Sequence, residues 1–506
     1  MSSPPSDDRL RALERSVEQT RREQIRLDRR ISALEQSRLF RLLRAIGFKA
    51  KNPPVPYEAW CEREGSPTPQ VLRHRPLISV LLPASAANRE GLDAAIKSVF
   101  AQTYPCWELC VSAPGMDGPP AYEEPRLRFC QADKPSFEEA ARLAQGEYLA
   151  LLEDAAVLSP FALQCVAESL QDSSPDVVYT DEDQLDSLSR RTNPLLKPDL
   201  LKNQPDWGHL TVIAKARWNT LGEPLSVRHV PRILYHSRAR KETAPPRHPA
   251  SPSTSRCTII ICTKTAKLLR RCLRGLDSGQ VLVVAHQDNG ELAKVAREYR
   301  AEVMEYRGEF NFAEMNNRAA AATDADDLLF LNDDVVSLSN GWLDHLQGHL
   351  RRPKVGVAGA KLLYPSGAIQ HAGIVLGMGD GVGHAGRGMK HSDLWPWLDH
   401  TRNVSAVTGA CMAVRRDVFM ELGGFDPGFP VNYNDVDLCL RARQRGYEVI
   451  YEAQAILRHD ECKSRIGMTT LEERYRFSDR WAELLTKPDP YYNPQLDLST
   501  EEIRLR

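Results

Sequence analysis

The sequence predicts an α/β protein made of two tandem domains, each built around a parallel sheet that binds ligands at the carboxyl ends of its strands. A chain of 506 residues is longer than one typical domain of about 100–200 residues. Residues 76–85 (PLISVLLPAS) and 257–265 (CTIIICTKT) each read as an apolar strand that ends in a polar loop. In both halves an amphipathic helix and a second apolar strand follow, which indicates a duplicated unit.

Domain boundaries follow from changes in composition along the chain. We place a helical region at residues 1–50, a linker at 51–75, a first α/β domain at 76–240, a second linker at 241–255, a second α/β domain at 256–485 and a C-terminal tail at 486–506. The proline-rich start of the first linker, KNPPVPYEAW, predicts an extended segment.

Bulk composition excludes several function classes. The 66 Lys and Arg residues balance the 67 Asp and Glu residues, so a general attraction to nucleic acid is not expected. The 11 cysteines are scattered without a CxxC pair and are expected to be reduced core thiols. The N-terminus lacks an apolar signal segment, and no later run approaches the ~20 apolar residues of a membrane span. We therefore expect a cytoplasmic protein, either soluble or peripheral at the inner face of the plasma membrane.

Two helical patterns occupy the first fifty residues. An apolar heptad with polar breaks at Thr20 and Gln24 indicates either a short coiled coil or a solvated single helix. The heptad positions are Leu10, Leu13, Val17, Leu27, Ile31 and Leu34. In a helix over residues 38–50 the apolar side chains would share one face and the arginines would lie outside it. This pattern fits either an interfacial membrane helix or a helix docked on the next domain. A homo-oligomer and a peripheral membrane contact are the corresponding partner predictions.

The chemistry is concentrated in two segments of the second domain. Residues 404–465 hold a small-residue turn, a Gly-Gly-Phe-Asp break, an acidic Asn-Asp-Val-Asp helix start and a histidine after a strand-like run. Residues 328–335 (LLFLNDDV) deliver oxygen-bearing side chains to the exit of a buried strand, a setting that suits Mg²⁺ or Mn²⁺. In this order the motifs resemble family 2 inverting glycosyltransferases, and the resemblance covers most of residues 257–467.

The resemblance implies a GT-A type fold and transfer of a sugar from a nucleotide donor. It places a metal site at Asn332 and Asp334 and makes Asp333 a contact of the nucleotide-sugar donor. It also matches His459 to a histidine that completes the metal or diphosphate site. A polar turn is the alternative for the acidic cluster, and a structural role is the alternative for the lone histidine. The implied cofactors are Mg²⁺ or Mn²⁺ and a UDP-, dTDP- or GDP-sugar.

By the same resemblance Asp435 is the general base. The acceptor hydroxyl must lose a proton as it attacks the anomeric carbon, and this chemistry requires a carboxylate. Asp437 fits better as a charge that stabilises the first turn of the helix, which is also the structural alternative for Asp435.

Three further residues are candidate donor contacts. The resemblance puts Thr263 against the nucleotide base and Asp288 beside the pyrimidine, although a surface turn explains Asp288 equally well. Residues 310–322 (FNFAEMNNRAAAA) resemble the helix that packs under the nucleotide, with Asn316 or Asn317 near the ribose or diphosphate. We assign Asn317, and a capped helix without a ligand is the alternative.

The first domain resembles the same family but has lost parts of its chemistry. At the metal cluster the chain has residues 153–156 (EDAA), so the second ligand position is alanine. Only a short stretch at 213–230 stands where the family has the turn and the acidic helix start. Residues 180–183 (TDED) survive, either as a binding group or as a solvated acidic loop. We infer a noncatalytic module that holds the acceptor glycan, a partner chain or the second domain.

Taken together, the sequence predicts a metal-dependent inverting glycosyltransferase that acts on a bacterial surface glycan, lipid-linked or not. The Gly- and His-rich residues 366–388 resemble a rhamnosyltransferase-like subgroup associated with surface-polysaccharide and O-antigen synthesis. A noncatalytic glycan-assembly scaffold is one alternative. A sugar nucleotidyltransferase is a weaker one, because the loop after the strand at 257–263 has basic residues but no glycine.

Overall fold

The computed structural model describes residues 56–84, 88–113, 122–132, 134, 136–185, 191–195, 210–220, 225–237, 255–276, 279–379, 381–390, 395–460 and 470–506. The predicted coiled coil and basic helix at residues 1–50 lie outside the described residues. Within the described ranges no helix is both long enough and apolar enough to cross a bilayer.

The first helix corrects the prediction of an extended first linker over Tyr57–Glu64. α1 (Tyr57–Glu64) begins directly after Pro56, and its Trp60 is 4% exposed and packs in the hydrophobic core of the second domain. Burying a large apolar side chain contributes on the order of 2 kcal/mol. That contribution outweighs the local preference of a proline-rich segment for extension.

The first domain forms one nine-stranded sheet with helices between its strands. Its elements are β1 (Ile78–Pro83), α2 (Arg89–Phe100), β2 (Trp107–Ala113), β3 (Leu127–Gln131), α3 (Phe137–Leu143), β4 (Tyr148–Leu151), β5 (Ala156–Leu158), α4 (Ala162–Ser169), β6 (Val177–Leu185), β7 (Arg191–Leu195), β8 (Thr211–Ala214) and β9 (Val227–Ser237).

The second domain forms a ten-stranded sheet and a two-stranded hairpin. Its strands are β10 (Cys257–Thr263), β11 (Gln280–His286), β12 (Glu302–Tyr306), β13 (Asp327–Leu331), β14 (Val335–Ser337), β15 (Val355–Leu363), β16 (Ile369–His371), β17 (Ile374–Leu376), β18 (Val382–His384), β19 (Arg402–Asn403), β20 (Cys411–Arg415) and β21 (Glu448–His459). Its helices are α5 (Ala266–Arg274), α6 (Glu291–Glu298), α7 (Phe312–Ala321), α8 (Trp342–Leu350), α9 (Arg416–Glu421), α10 (Asn434–Gln444), α11 (Leu471–Arg480) and α12 (Ala482–Leu485).

The two sheets have the same strand order, which confirms the predicted duplication. The first runs β3-β2-β1-β4-β8-β6-β9-β5 and the second β12-β11-β10-β13-β20-β15-β21-β14. Both are mixed rather than parallel, because β8 and β20 run antiparallel between their neighbours. The pairing of β13 with β20 sets Leu331 opposite Cys411. Residues that follow β13 therefore lie beside residues that precede β20.

The central strand of the second sheet is covered on both faces. All seven residues of β10 are buried, as its continuous apolar run requires. Ile259 and Ile261 pack in the core that contains α5, α6 and α8, whereas Ile260 packs in the core that contains α7 and α10. Successive side chains of a strand point to opposite faces, so this one strand joins both helical layers and fixes the sheet edge that carries the site.

Candidate active site

The turn after β13 and the end of β21 bring together the three side chains predicted to bind a metal. The pairing of β14 with β21 sets Val335 opposite His459, so the imidazole lies beside the turn that carries Asn332 and Asp334. His459 Nε2 is 3.0 Å from Asp334 Oδ1 and 3.4 Å from Asn332 Nδ2. The three side chains form one buried cluster at the sheet edge.

Gln370 on β16 orients the ring of His459. Gln370 Oε1 is 2.7 Å from His459 Nδ1, and because a carbonyl oxygen only accepts, Nδ1 carries the proton of this hydrogen bond. The lone pair of Nε2 then faces Asp334 and Asn332. Metal-binding histidines commonly have such a partner on their second ring nitrogen.

The cluster fits a hard divalent cation. Two ligand atoms that each lie about 2.1 Å from a cation, with their bonds to it perpendicular, are about 3.0 Å apart. This distance matches the separation of His459 Nε2 and Asp334 Oδ1. The Asn332 amide would present Oδ1 to a cation after a half-turn. Among the described residues no group of three or more His, Cys, Asp or Glu side chains suits a metal ion. A cation here would therefore take its remaining ligands from substrate or water.

Asp435 is the second residue of α10 and lies at the wall of the same cavity. Its Oδ2 accepts a 2.7 Å hydrogen bond from the N–H of Gly409, and its Oδ1 accepts one of 2.8 Å from the N–H of Val436. Burial raises the pKa of the Asp435 carboxyl, and these backbone donors offset the rise only in part. A raised pKa makes the carboxylate a stronger base, which suits the removal of a proton from a hydroxyl.

One loop, residues 408–410, holds the carboxylate and the metal cluster in place together. Gly409 binds Asp435, and the C=O of the next residue, Ala410, accepts a 3.0 Å hydrogen bond from the N–H of Asn332. A Cβ on Gly409 would lie only 3.3 Å from the Cβ of Asp435, so the close approach favours glycine. Asn332 and Asp435 are thus fixed by successive residues of one loop.

The cavity that contains these groups has a volume of about 420 Å³. This volume falls within the range of about 300–1,000 Å³ that is typical of small-molecule sites. Beside the metal cluster and Asp435, aromatic side chains also line it, namely Phe310, Phe312 and Tyr433. The cavity therefore combines apolar walls with a few polar groups that converge on it.

Backbone strain marks the approach to Asp435. Tyr433 has a φ of 63°, a left-handed conformation that costs a non-glycine residue about 1–3 kcal/mol. Its ring stacks on Phe477 of α11, with the ring centroids 4.6 Å apart. Glu473 of α11 accepts two 2.9 Å hydrogen bonds from backbone N–H groups of the same loop. α11 therefore holds the strained loop that positions Asp435.

Asp437, two residues further along α10, has a structural setting. Its carboxylate is fully buried and accepts hydrogen bonds from Arg441 (2.8 Å), Arg480 (2.8 Å) and the indole N–H of Trp481 (3.2 Å). It therefore joins α10 to the C-terminal end of α11. This agrees with a noncatalytic role, although the partners are side chains rather than the helix dipole.

Thr263 and Asp333 contact each other. Thr263 Oγ1 donates to Asp333 Oδ2 over 2.6 Å, and both residues are buried. Thr263 is the last residue of β10 and Asp333 follows the adjacent strand β13, at the edge where α/β sheets bind ligands. Their contact with a nucleotide stays a prediction.

Asp288 and Asn317 bind other parts of the protein. The two carboxylate oxygens of Asp288 accept backbone N–H groups of Leu292 and Ala293, each over 3.0 Å. The amide of Asn317 makes hydrogen bonds of 2.8 and 2.9 Å with the backbone of Phe425. Neither residue is among those that line the cavity. These contacts support the structural alternatives, and a ligand role for either residue stays a prediction.

The first domain keeps the metal-site turn but not its side chains. In both domains a backbone hydrogen bond closes the turn after the central strand, from Ala156 N–H to Glu153 C=O and from Val335 N–H to Asn332 C=O. By this correspondence Ala155 stands where the second domain has its metal-site aspartate. The first domain therefore lacks a carboxylate at that position.

The histidine is also replaced in the first domain. β5 pairs with β9 and sets Ala156 opposite Ser237, whereas β14 pairs with β21 and sets Val335 opposite His459. Because the two sheets have the same order, Ser237 stands where the second domain has His459. A hydroxyl there cannot supply the nitrogen ligand.

The acidic run at residues 180–183 is buried, so its interpretation as a solvated loop is wrong. It belongs to β6, and Asp181 and Asp183 are 0% and 1% exposed. His229 Nε2 lies 2.9 Å from Asp181, and the ring of His236 makes a short hydrogen bond with Asp183. Each carboxylate is thus matched by a buried imidazole.

Several contributors to the site were not found in the sequence. Gln370, Gly409, Tyr433 and Glu473 act through contacts with residues distant in the chain. Only Glu473 carries a local signal, because with Thr470 it forms a capping box in which both reciprocal hydrogen bonds are present. That motif predicts a helix start, but it does not show which loop the helix holds.

The α/β fold, the acidic turn after β13 and the carboxylate at the start of α10 give the second domain the features that the sequence predicts for a glycosyltransferase domain. Residues 256–483 match the family model described as "Glycosyltransferase like family 2". The second domain is therefore similar to this family over nearly its whole length, in agreement with the resemblance of its sequence motifs.

Two curated relatives match most of the chain. The O-antigen biosynthesis protein RfbC of Myxococcus xanthus is 29% identical over 94% of this chain and 46% of its own length. The uncharacterized protein y4gI of Sinorhizobium fredii is 29% identical over 86% of this chain and 59% of its own length. The chain thus spans about half the length of these relatives.

Among solved structures, a mannosyltransferase from Pyrobaculum calidifontis in complex with GDP-Man and Mn²⁺ is similar to part of the chain. It is 15% identical, and the alignment covers 50% of this chain and 71% of that one with a TM-score of 0.37. A superposition this loose supports no residue correspondence, so the roles of the site residues depend on the geometry described above.

Proposed function

We propose that the second domain transfers a sugar from a nucleotide-sugar donor to a glycan acceptor, with inversion at the anomeric carbon and with Asp435 as the general base. The observation that carries this proposal is the loop at residues 408–410, which binds both Asn332 and Asp435. Base and metal cluster therefore line one cavity. A donor with a diphosphate and an acceptor with a free hydroxyl are the substrates that such a pair of groups would serve.

Asp435 acts on the acceptor. As the acceptor oxygen forms its bond to the anomeric carbon and the bond to the diphosphate oxygen breaks, the hydroxyl proton passes to the Asp435 carboxylate. A single displacement of this kind inverts the configuration of the anomeric carbon. The Asp435 carboxylate accepts the N–H groups of Gly409 and Val436 and the side chain of Thr408, which leaves one of its four lone pairs for the acceptor hydroxyl.

Asn332, Asp334 and His459 would hold the divalent cation. When bound, the cation neutralises charge on the departing nucleoside diphosphate. Gln370 keeps His459 Nε2 directed at the cluster, and the contact between Thr263 and Asp333 fixes the turn from which Asp334 projects. At the diphosphate, the residues of the protein therefore act by orienting the ligands of the cation.

The donor in this proposal is a UDP-, dTDP- or GDP-sugar, and the acceptor is a bacterial surface glycan. The name of the Myxococcus xanthus relative, an O-antigen biosynthesis protein, supports this acceptor class. The Asp435 carboxylate, in a cavity with aromatic walls, also suits a sugar hydroxyl.

A panel of nucleotide sugars with Mn²⁺ or Mg²⁺ tests the proposal. Release of nucleotide from one donor by the intact protein, abolished by EDTA and by Asp334→Ala and strongly reduced by Asp435→Asn, is the expected result. Asp154→Ala, which removes the carboxylate next to Ala155 in the corresponding turn of the first domain, is the control and should leave the rate unchanged.

Two other outcomes would reject the proposal. Nucleotide release that is independent of metal and of Asp334 would place the chemistry elsewhere. No release from any donor, together with no metal-dependent nucleotide binding by calorimetry, would favour a noncatalytic scaffold.

A further inference from the structure

The segment at residues 486–506, here called the tail, packs along the hairpin of β17 and β18. Four backbone N–H groups of the hairpin and of the residues that follow it donate hydrogen bonds to the tail. They run from Leu376 N–H to Asp489 Oδ2 (2.7 Å), from Gly379 N–H to Leu498 C=O (2.7 Å), from His384 N–H to Glu501 Oε1 (2.8 Å) and from Gly386 N–H to Glu501 C=O (2.8 Å). The tail is therefore part of the wall of the second domain.

The same tail also binds the first domain. Asn493 is 1% exposed, and its Nδ2 donates to both carboxylate oxygens of Asp181 at 3.1 and 2.9 Å. Gln495 Nε2 donates to the C=O of Pro231 over 3.0 Å. The acidic run of β6 thus binds a buried amide from the tail. This supports the interpretation that the first domain holds the second.

After its contacts with the first domain, the tail brings a carboxylate to the active-site cavity. Glu501 lines the cavity together with Asp435 and Arg387. Glu501 and Arg387 are 3.8 Å apart, and their side chains are 35% and 32% exposed. They therefore form a polar pair that is open to a ligand.

We propose that Glu501 and Arg387 bind the acceptor sugar, and that the first domain holds Glu501 in position through the tail. This inference rests on the proposed glycosyl transfer and assigns its acceptor subsite. A carboxylate disfavours the anionic diphosphate of a donor, whereas it accepts hydrogen bonds from neutral sugar hydroxyls. Arg387 supplies donors to the same hydroxyls. The shared cavity places both beside Asp435, where the acceptor hydroxyl must lie.

The subsite is tested by comparing two reactions of the full-length chain. Hydrolysis of the donor uses water, and transfer is measured with a panel of octyl glycosides of common hexoses, deoxyhexoses and N-acetylhexosamines. Glu501→Gln keeps an oxygen for the N–H of His384 but removes the charge. The ratio of transfer to hydrolysis should fall about 10–100-fold, with a raised KM for the glycoside, and Arg387→Gln should act in the same direction.

Glu502→Gln, next to the proposed residue and outside the cavity lining, is the matched control and should leave the ratio unchanged. A ratio unaffected by Glu501→Gln would overturn the subsite, as would a wild type that hydrolyses a donor but uses no glycoside in the panel. Absence of both reactions and of nucleotide binding would instead refute the proposed function itself.

The role of the first domain is tested by amide hydrogen exchange, which needs no substrate. Asn493→Ala removes the contact with Asp181, and Asn493→Asp sets a second carboxylate against it. Both variants should accelerate exchange of the N–H groups of Leu376, Gly379 and His384, none of which Asn493 contacts in the structure. Unchanged exchange at the hairpin in both variants would show that the first domain does not hold the tail there.

Discussion

The two domains of this chain have one fold and two different sets of site residues. Their sheets share the same strand order, and the turn after β4 closes with the same backbone hydrogen bond as the turn after β13. Yet alanine and serine in the first domain occupy the positions of Asp334 and His459. Apolar burial maintains the sheet in both, because it depends on the buried strands and not on the turn residues. A few side chains at one edge separate a candidate enzyme from a supporting module.

A second difference lies in the segment between the last two strands of each domain. In the second domain α9 and α10 separate β20 from β21, and α10 carries Asp435 near its start. In the first domain a short 3₁₀ turn at Lys215–Arg217 stands between β8 and β9 among the described residues. No described residue of that stretch could supply the base. Loss of the helix and loss of the metal-site side chains therefore point to the same conclusion.

The largest expected effect is that of Asp435→Asn. Removing the base should lower turnover about 10³-fold, while metal-dependent nucleotide binding should be retained. The amide can accept only one of the two backbone N–H groups, so a small fall in the thermal unfolding midpoint is expected. Steady-state kinetics and calorimetry on the same preparation measure these effects. A loss of less than tenfold would show that another group takes the proton.

Asp334→Ala should weaken metal-dependent nucleotide binding about 100-fold or more, because it removes a ligand of the cation. The first domain offers the converse experiment. Ala155→Asp restores one carboxylate but leaves Ser237 at the position of the histidine, so calorimetry should detect no second nucleotide. A second binding event in this variant would show that the first domain can bind a nucleotide without a histidine at the position of Ser237.

The pH dependence of turnover should reveal the buried setting of Asp435. A free aspartate has a pKa of about 3.9. Burial raises the pKa of Asp435 above this value, so its carboxyl keeps its proton to a higher pH. The base is active only when ionised. Turnover should therefore fall tenfold for each pH unit below this raised pKa. An acid limb at or below the ordinary aspartate range would contradict the assignment.

A smaller effect is expected from Gln370→Ala. Loss of its hydrogen bond frees the ring of His459, and metal affinity should fall about tenfold, as measured by Mn²⁺ titration in the presence of nucleotide. Ser237→Ala, at the first-domain position that corresponds to His459, should change nothing. Equal effects of the two variants would show that the metal does not bind at His459.

The fold was largely predictable because long apolar strands and amphipathic helices recur in the same order in both halves. The prediction of an extended first linker was wrong over Tyr57–Glu64, because the burial of Trp60 depends on a surface of the second domain that the local sequence does not describe. The antiparallel placement of β20 was also not predicted. It depends on pairing between distant segments, which periodicity within a strand does not report.

The site was predictable where a motif carried the chemistry, as for Asp334, Asp435 and His459, whose side chains the structure places around one cavity. Asn317 and Asp288 show the limit of this approach. Their residue types suit a nucleotide, but their hydrogen-bonding groups contact the backbone of other segments. Glu501 was not predicted at all, since its place in the cavity depends on how the tail crosses the hairpin.

The most direct test of the account is the number of nucleotides that one chain binds. Titration of the full-length protein with UDP, dTDP and GDP in the presence of Mn²⁺ should give a single site per chain for at least one nucleotide. That site should be lost in Asp334→Ala and kept in Asp154→Ala. Two sites per chain, or one site that survives Asp334→Ala, would contradict the division of labour between the two domains.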